Sequence, residues 1–376
     1  MVKMIDLYSQ YLGIKEEIDR AIDTTITTSD FIGGNAVVEF ERALSSFLSV
    51  EHIITCGNGS DALLLSLMAI GLKKGDEVIV PAFAFASVVE AVALLGGVPV
   101  FADVNHSTFA IDPASIERMV TKRTKAIVPV HLFGQPCDMK QIKDIAETYD
   151  VVVIEDNAQS LGAKCRLSSE CEVYAGTIGH IGYTSFFPTK MLGCFGDGGA
   201  VFTNDNVLAD RIRAIANHGQ HRKYHHEYIG INSRLDTLQA AILKAKIPHL
   251  PDWIESRQKA ARYYSAALKD IEQLILPLEV PHGTHVYNQY TIRMPISLRD
   301  GLKTELTSKG IQSMIYYPTP LFNQPAYRNI CVIDPMMSDC ETLCRQVLSL
   351  PMHSELSHNG QDKVIDTIQT YITRMS

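Results

Sequence analysis

The sequence alternates short apolar segments with longer amphipathic ones over its first 250 residues, and this alternation limits the fold more than any other feature. The apolar segments typical of buried strands cover residues 77–80, 98–101, 126–132 and 151–154. Helical patterns lie before and between them, at residues 37–48, 85–95 and 138–148. Strands that alternate with helices form a mostly parallel sheet with both faces covered, because each parallel connection has to cross over the sheet. The sequence therefore predicts an α/β fold.

The pattern changes near residue 250, where Pro248 and Pro251 interrupt it. A long helical pattern follows at residues 253–268, then a strand at 289–294 and helices at 302–309 and 361–372. A chain of 376 residues is also longer than one small core organises. We therefore predict a large α/β domain over residues 1–250 and a smaller α+β domain over residues 251–376.

Composition excludes several classes of function. The net charge of −8 does not favour a nucleic-acid partner, because binding to phosphate backbones needs a dense positive field. No apolar run approaches the roughly 20 residues that span a bilayer, and residues 1–10 lack the pattern of a secretion signal. The eight cysteines fall at irregular spacings without a C-x-x-C pair. We expect reduced thiols, a cytoplasmic location, no membrane association and no bound metal.

One lysine stands in an unusual setting. The segment T-S-F-F-P-T-K contains Ser185 and ends at Lys190, and a glycine-rich stretch follows, at Gly193, Gly196, Gly198 and Gly199. Enclosing an ammonium among aromatic residues is costly and lowers its pKa, which is what a lysine that forms Schiff bases needs. The alternative is a surface lysine after a strand, with the glycines forming a tight turn or a phosphate loop.

Two carboxylates follow the apolar strand at residues 151–154. Glu155 and Asp156 stand at its carboxyl end, where open α/β sheets place their ligands, and Gln159 comes three residues later. A buried aspartate in this position can pair with a cationic ring nitrogen. Equally, an acidic strand end can cap the next helix or bind Mg²⁺.

Two further segments have the character of ligand sites. In C-G-N-G-S-D-A-L, Gly59 permits close backbone approach and Ser60 can cap an apolar helix whose free first-turn amides would hold a phosphate. In P-A-F-A-F, Phe85 could stack on a flat ligand. A plain helix cap and a buried core aromatic are the alternatives. The pair His225 and His226 does not indicate zinc, because adjacent side chains point apart and H-E-x-x-H is absent.

Taken in chain order, these motifs resemble those of the DegT/DnrJ/StrS sugar aminotransferases. The resemblance extends from I-D-L at residues 5–7 to L-S-L-P at residues 348–351, and includes N-G-S-D-A-L, E-D-N-A-Q-S, S-F-F-P-T-K, G-D-G-G-A and G-I-N-S-R-L-D. It implies the fold type I (aspartate aminotransferase-like) architecture, a homodimer with shared active sites, and pyridoxal 5'-phosphate as cofactor, with pyridoxamine phosphate as its intermediate form.

The resemblance also implies a role for each candidate residue. Lys190 would carry the cofactor as a Schiff base and then move protons, and Asp156 would pair with the pyridine nitrogen. Gln159 would contact the ring oxygen and Phe85 would stack on the ring. The phosphate would be held by Gly59, Ser60, Asp61 through its amide, Ser185, and Asn232 of the neighbouring subunit.

Within the family the chain is most similar to the WbpE/WlbC-type subgroup. That similarity implies transfer of an amino group from glutamate to UDP-2-acetamido-2-deoxy-3-oxo-glucuronate, for surface polysaccharides such as lipopolysaccharide O-antigen. Arg234, Tyr316 and Tyr317 would bind the substrate. The chain departs from relatives at the positions expected to line the sugar pocket: Ala84 stands where many carry threonine, and Tyr316, Tyr317 and Phe322 where they often carry histidine.

Four alternatives stay open beside this interpretation. The first is an aminotransferase for another 3-keto or 4-keto sugar linked to UDP or dTDP. The second, a pyridoxal-phosphate sugar dehydratase, would replace the lysine by histidine, which Lys190 argues against. The third, a non-catalytic regulator of the same fold, would not need Lys190, Asp156 and Ser185 together. The fourth, a nucleotide-sugar oxidoreductase, would need G-x-G-x-x-G after the first strand, which the chain lacks.

Overall fold

The predicted strands meet in one central sheet. The protein is described by a computed structural model that covers residues 1–375. Its strands are β1 His52–Cys56, β2 Glu77–Pro81, β3 Val98–Ala102, β4 Thr124–Ile127, β5 Val152–Asp156, β6 Lys164–Arg166, β7 Glu172–Tyr174, β8 Ile181–Ser185, β9 Gly199–Thr203, β10 Gln220–Arg222, β11 His225–His226, β12 Tyr290–Arg293, β13 Val332–Ile333 and β14 Val347–Leu350.

The helices are distributed along the whole chain. They are α1 Leu7–Gly13, α2 Lys15–Thr28, α3 Asn35–Leu48, α4 Gly59–Ala69, α5 Ser87–Leu94, α6 Pro113–Met119, α7 Met139–Tyr149, α8 Asn206–Ala216, α9 Thr237–Lys246, α10 Leu250–Leu268, α11 Ile296–Ser308, α12 Asp339–Gln346 and α13 His358–Met375. Short 3-10 turns cover Leu132–Gly134, Ile247–His249 and Leu321–Asn323. No helix within residues 1–375 is long and apolar enough to cross a membrane.

Eight strands form the central sheet in the order β1-β9-β8-β5-β4-β2-β3-β13. Only β9 runs antiparallel to its neighbours β1 and β8, and the other pairings are parallel. Strands β2 and β9 are buried at every position, as expected for strands covered on both faces. Two apolar cores, one on each face, enclose the sheet. The predicted mostly parallel α/β architecture is confirmed.

Most predicted elements are present, with shifted ends. The strand expected at residues 126–132 ends at Ile127, because Pro129 has no amide hydrogen for the ladder and the chain then turns into Leu132–Gly134. The helix expected from residue 85 begins at Ser87. Phe85 therefore lies in the loop before that helix, and its side chain is 60% exposed.

The residues after 250 build a third core around the pair β12–β14, packed with α10, α11 and α13. The chain also returns to the central sheet, since β13 pairs in parallel with β3. Buried Asp103, just after β3, accepts hydrogen bonds from the amides of Ser338, Asp339 and Cys340 and so caps α12. The division near residue 250 stays a prediction.

Candidate active site

A cavity of about 640 Å³ opens at the edge of the sheet where β1, β5 and β8 end. Its walls are Asn58, Gly59, Ser60, Phe85, Ser87, Val130, Asp156, Ala158, Gln159, Tyr183, Ser185, Phe187, Thr189, Lys190, Asp197, Gln289, Tyr316 and Tyr317. The antiparallel strand β9 begins at the same edge with Gly199. The structure thus brings together nine of the candidate residues, at the location that open α/β sheets use for ligands.

Asp156, the last residue of β5, is a buried carboxylate supported by two donors. The Tyr183 hydroxyl donates to its Oδ2 at 2.6 Å, and the Ala158 amide donates to Oδ1 at 2.9 Å. Burial raises the pKa of Asp156 above its ordinary value, and these two hydrogen bonds and the Lys190 ammonium act in the opposite direction. A buried carboxylate in this state would be stabilised by a cationic partner in the cavity.

Lys190 lies in the cavity wall after β8 and is partly exposed to it. Burial lowers the pKa of its ammonium, and the Asp156 carboxylate opposes the shift. The ammonium forms no hydrogen bond or ion pair with any of residues 1–375. An amine with a lowered pKa and no competing partner is available as a nucleophile.

The N-terminus of α4 forms another side of the cavity. Its N-cap is Asn58, whose Oδ1 accepts from the Asp61 amide at 2.8 Å, so Ser60 is not the cap that the sequence suggested. Asparagine is among the best N-cap residues because its short side chain reaches the first-turn amides. The amides of Gly59 and Ser60, in the first turn, have no acceptor inside the helix. The Asp61 amide, expected to hold a phosphate, is already engaged by Asn58.

Glycine at position 59 lets α4 approach β8 closely. A Cβ on Gly59 would lie 2.7 Å from Cβ of Ser185, and one on Gly199 would lie 2.4 Å from the Asn58 carbonyl oxygen. Both distances are shorter than side chains tolerate. Backbone-to-backbone contact therefore places the helix terminus beside Ser185, where the positive end of the helix faces the cavity.

Gln159, Tyr316 and Tyr317 form another part of the cavity wall. Gln159 Oε1 accepts from the Phe133 amide at 2.7 Å, and its Nε2 donates to the Tyr317 hydroxyl at 3.3 Å. Tyr316 and Tyr317 are both partly buried and pack against the same apolar core. Ala84 and Phe322, expected at the sugar pocket, are instead buried in one of the two apolar cores of the sheet and do not line the cavity.

The segment containing Asn232 and Arg234 lies outside this cavity. Side chains alternate along it, so that Asn232 and Arg234 are exposed on one face while Ser233 and Leu235 are buried on the other. The Ser233 hydroxyl donates to Asp61 Oδ2 at 2.6 Å, which ties the segment to α4. Arg234 forms no ion pair within residues 1–375. Within one chain, neither Asn232 nor Arg234 reaches the cavity.

Glu155, adjacent to Asp156, points to the other side of β5. It accepts from His131 Nε2 at 2.9 Å and from the amides of Gly176, Ile178 and Gly179 at 2.8, 2.6 and 2.5 Å. The Cys137 amide donates to His131 Nδ1, so the ring hydrogen that Glu155 accepts is on Nε2. Glu155 therefore organises the loop before β8 and does not face the cavity.

The sequence did not point to several cavity residues, among them Asn58, Ser87, Tyr183 and Gln289. Two of these residues could have been identified from the sequence. Asn58 begins an apolar helix, and Tyr183 stands two residues before Ser185 on the same face of one strand. No group of three or more potential metal ligands occurs in residues 1–375, and His225 and His226 are both exposed on a hairpin.

Comparison with known proteins extends this description. The model of the DegT/DnrJ/EryC1/StrS aminotransferase family matches residues 13–369. The chain is 44% identical over 372 residues to a "pleiotropic regulatory protein" of Geobacillus stearothermophilus, covering 98% of each. It is 43% identical over 356 residues to the UDP-2-acetamido-2-deoxy-3-oxo-D-glucuronate aminotransferase of Pseudomonas aeruginosa, covering 95% of this chain and 96% of that one.

A solved structure shows the same fold over the full length. The crystal structure of S. venezuelae DesV in complex with a ketimine intermediate superposes with a TM-score of 0.95 at 34% sequence identity. The match covers 100% of this chain and 99% of DesV.

Proposed function

The chain belongs to the DegT/DnrJ/EryC1/StrS aminotransferase family, and on that premise we propose that it transfers an amino group from glutamate to a keto-sugar nucleotide. The predicted family, cofactor and enzyme class are confirmed: the protein is a pyridoxal-phosphate sugar aminotransferase. The proposed acceptor is UDP-2-acetamido-2-deoxy-3-oxo-glucuronate, the compound in the name of the 43% identical P. aeruginosa protein. A cytoplasmic location and a role in surface-polysaccharide synthesis belong to the same proposal.

One observation carries the assignment of the site: Lys190, Asp156 and the N-terminus of α4 line the same cavity. These are an amine, a carboxylate and an anion-binding helix terminus, the three partners that pyridoxal phosphate needs at its aldehyde, ring nitrogen and phosphate. The volume of about 640 Å³ is within the usual range for cofactor sites. The residues present therefore fit the cofactor.

We assign the chemical steps to Lys190 and Asp156. When bound, pyridoxal phosphate supplies an aldehyde that takes up the amino group and a ring that acts as an electron sink. Lys190, whose amine has a lowered pKa, would hold the cofactor through that aldehyde, and its Nζ would be the group that accepts and returns a proton. The Asp156 carboxylate, held by Tyr183 and the Ala158 amide, would pair with the ring nitrogen and favour its protonated form.

Other residues would hold the cofactor in place. The phosphate would accept hydrogen bonds from the amides of Gly59 and Ser60 and from the hydroxyls of Ser60 and Ser185. Asp61 would contribute indirectly, because its carboxylate accepts from the Ser233 hydroxyl and so fixes the neighbouring loop. The Phe133 amide donates to Gln159 Oε1 and so fixes the orientation of the side-chain amide. One Nε2 hydrogen is donated to the Tyr317 hydroxyl, and the second would be donated to the ring oxygen. The exposed Phe85 ring would stack on the cofactor ring.

The proposal includes a homodimer with shared sites. Asn232 and Arg234 share an exposed face, and Arg234 has no ion-pair partner in residues 1–375, which suits contact with a second subunit's ligand. Asn232 would reach the cofactor phosphate of the partner chain. The planar guanidinium of Arg234 would bind an anionic group of the sugar nucleotide, together with Tyr316 and Tyr317 of that partner's cavity.

A regulatory function is the second candidate, because a relative 44% identical to the chain is named a pleiotropic regulatory protein. Retention of a reactive lysine beside a buried carboxylate favours catalysis, since a purely structural role needs neither. A sugar dehydratase is disfavoured because Lys190 is present.

Turnover with defined substrates separates these functions. Purified protein with cofactor, glutamate and a panel of UDP- and dTDP-linked 3-keto and 4-keto sugars would be followed by the mass of the products. Replacement of a keto oxygen by an amino group is expected with the UDP-3-keto-uronate. Amination of another keto sugar would replace the proposed acceptor, loss of water would indicate a dehydratase, and no product from any keto sugar would contradict an aminotransferase.

A further inference from the structure

A second lysine, Lys246, is buried at the C-terminal end of α9. Its side chain is 2% exposed and is among the largest fully buried ones. Its Nζ donates to the Gly193 carbonyl oxygen at 2.6 Å and to Gln10 Oε1 at 3.4 Å, and it lies 4.8 Å from the centre of the Phe195 ring. No acidic side chain in residues 1–375 forms an ion pair with Lys246.

Gly193 belongs to the turn that carries Lys190. The Lys190 amide donates to the Phe187 carbonyl at 2.9 Å, and the Cys194 amide donates to the Phe186 carbonyl at 2.8 Å. A Cβ on Gly193 would lie 2.3 Å from the Pro188 carbonyl oxygen, so the turn is tightly wound. The Lys246 ammonium thus binds a backbone oxygen three residues from Lys190, although Lys246 itself does not line the cavity.

Burying a cation without a carboxylate is unfavourable, and stability alone does not account for it. A methionine would fill the same space without the desolvation cost. The cost is visible in the pKa of Lys246, which burial lowers to about 8, with Cys194 opposing the shift. The compensating interactions are the carbonyl of Gly193, the amide oxygen of Gln10 and the face of Phe195, and the first of these is the shortest.

We propose that Lys246 is a positioning residue for Lys190: its ammonium fixes the Gly193 carbonyl, and through it the turn that sets where the Lys190 amine stands relative to Asp156. Gln10 of α1 completes the arrangement and connects it to the N-terminal helix. This inference rests on the proposed function only in that Lys190 binds the cofactor. Misplacing a reacting group by about 1 Å can lower a rate roughly 100-fold.

The test compares Lys246→Met with Lys244→Met, which removes an exposed lysine of the same helix whose partner is Glu39. For Lys246→Met we expect kcat to fall about 10-fold to 100-fold, with KM for both substrates changed less than about threefold. The pH at which the visible absorbance of the bound cofactor changes should also shift. Lys244→Met should retain the wild-type values of all three quantities.

A folded Lys246→Met protein with wild-type kcat and wild-type absorbance would overturn the inference. If that variant does not fold, Gln10→Met keeps Lys246 and removes its longer hydrogen bond, together with the donation from Gln10 Nε2 to Ser354 Oγ. For Gln10→Met, a fall in kcat of roughly two- to fivefold with a shifted absorbance would support the positioning role of Lys246. Unchanged kcat and absorbance would contradict that role and leave Lys246 with a structural one. Absence of a cofactor band in the wild-type protein would contradict the proposed function instead.

Discussion

The hydroxyl of Tyr183 donates a 2.6 Å hydrogen bond to Oδ2 of Asp156, and the two residues are direct partners across the parallel strands β5 and β8. The phenol is a donor that stabilises the charged form of the carboxylate. It thereby opposes the burial that raises the pKa of Asp156. The register of the two strands, which brings these side chains together, thus contributes directly to the charge in the cavity.

Tyr183→Phe should weaken cofactor binding by roughly 10-fold to 100-fold, the worth of a hydrogen bond to a charged group. Without the donor the pKa of Asp156 rises further, so the carboxylate is protonated at a higher pH. The acid limb of kcat/KM should therefore move upward in pH. Cofactor titration and a pH profile measure both effects, and Tyr264→Phe, which removes a buried hydroxyl without a hydrogen-bond partner, is the control. An unmoved acid limb would contradict the role of Tyr183.

Glu155 and Asp156 should behave differently although they are adjacent. Asp156→Asn should fold normally and lose about 10³-fold in kcat, because the ring nitrogen loses its charged partner. Glu155→Gln should instead lower the free energy of unfolding by about 3 kcal/mol, since an amide hydrogen then faces backbone donors. Denaturant unfolding and steady-state kinetics on both variants separate the two roles. An active Asp156→Asn enzyme would exclude the assignment to Asp156.

These contacts also show what the sequence could and could not predict. Lys190, Asp156 and Gln159 were predicted because they follow apolar strands, and the edge of a parallel sheet collects such residues. A period of two predicts that Glu155 and Asp156 face opposite sides, but it does not tell which side is the cavity. Tyr183 was missed because its role depends on register with a strand 27 residues away.

The helix cap shows a second limit. Asn58 and Ser60 are both good N-cap residues, and only the backbone conformation at Asn58, extended at φ −168° and ψ 173°, decides between them. Likewise Phe85 lies in the cavity because the helix begins at Ser87, a difference of two residues that periodicity does not resolve.

Lys190→Ala should abolish covalent attachment of the cofactor. The wild-type protein loaded with pyridoxal phosphate should be yellow, and the colour should fade when glutamate is added. The variant lacks the amine and should show only the absorbance of loosely held cofactor, with no turnover. Spectra before and after glutamate provide the measurement. A wild-type band in Lys190→Ala would show that another amine is attached.

Gly59→Ala should impair the phosphate end of the site. The added Cβ would lie 2.7 Å from Cβ of Ser185, so the first turn of α4 has to move away from β8. We expect cofactor affinity to fall roughly 10-fold or more, with a loss of about 1–3 kcal/mol in stability from the overpacking. The matched control is Gly13→Ala, where nothing lies within 4 Å of the new Cβ. Equal affinities in the two variants would refute close approach as the reason for Gly59.

The proposed sharing of the site between two subunits predicts recovery of activity on mixing two inactive proteins. In a dimer of one Lys190→Ala and one Asn232→Ala chain, one cavity would combine an intact lysine with an intact asparagine from the other subunit. Random exchange should therefore restore roughly a quarter of the wild-type sites. The exposed position of Asn232 and the distance of its segment from the cavity in its own chain are the reasons for expecting this.

Arg234→Lys extends the same test to the substrate. A lysine keeps the charge but loses the planar fork that binds an anion through two parallel hydrogen bonds. KM for the keto-sugar nucleotide should rise about 10-fold or more while KM for glutamate and the cofactor spectrum stay constant.

For the mixture of Lys190→Ala and Asn232→Ala chains, mass spectrometry of differently tagged chains establishes that heterodimers have formed. If heterodimers form from folded variants and no activity returns, Asn232 does not act in the partner's site. The proposal that Arg234 binds the substrate in the partner's cavity would then be contradicted as well.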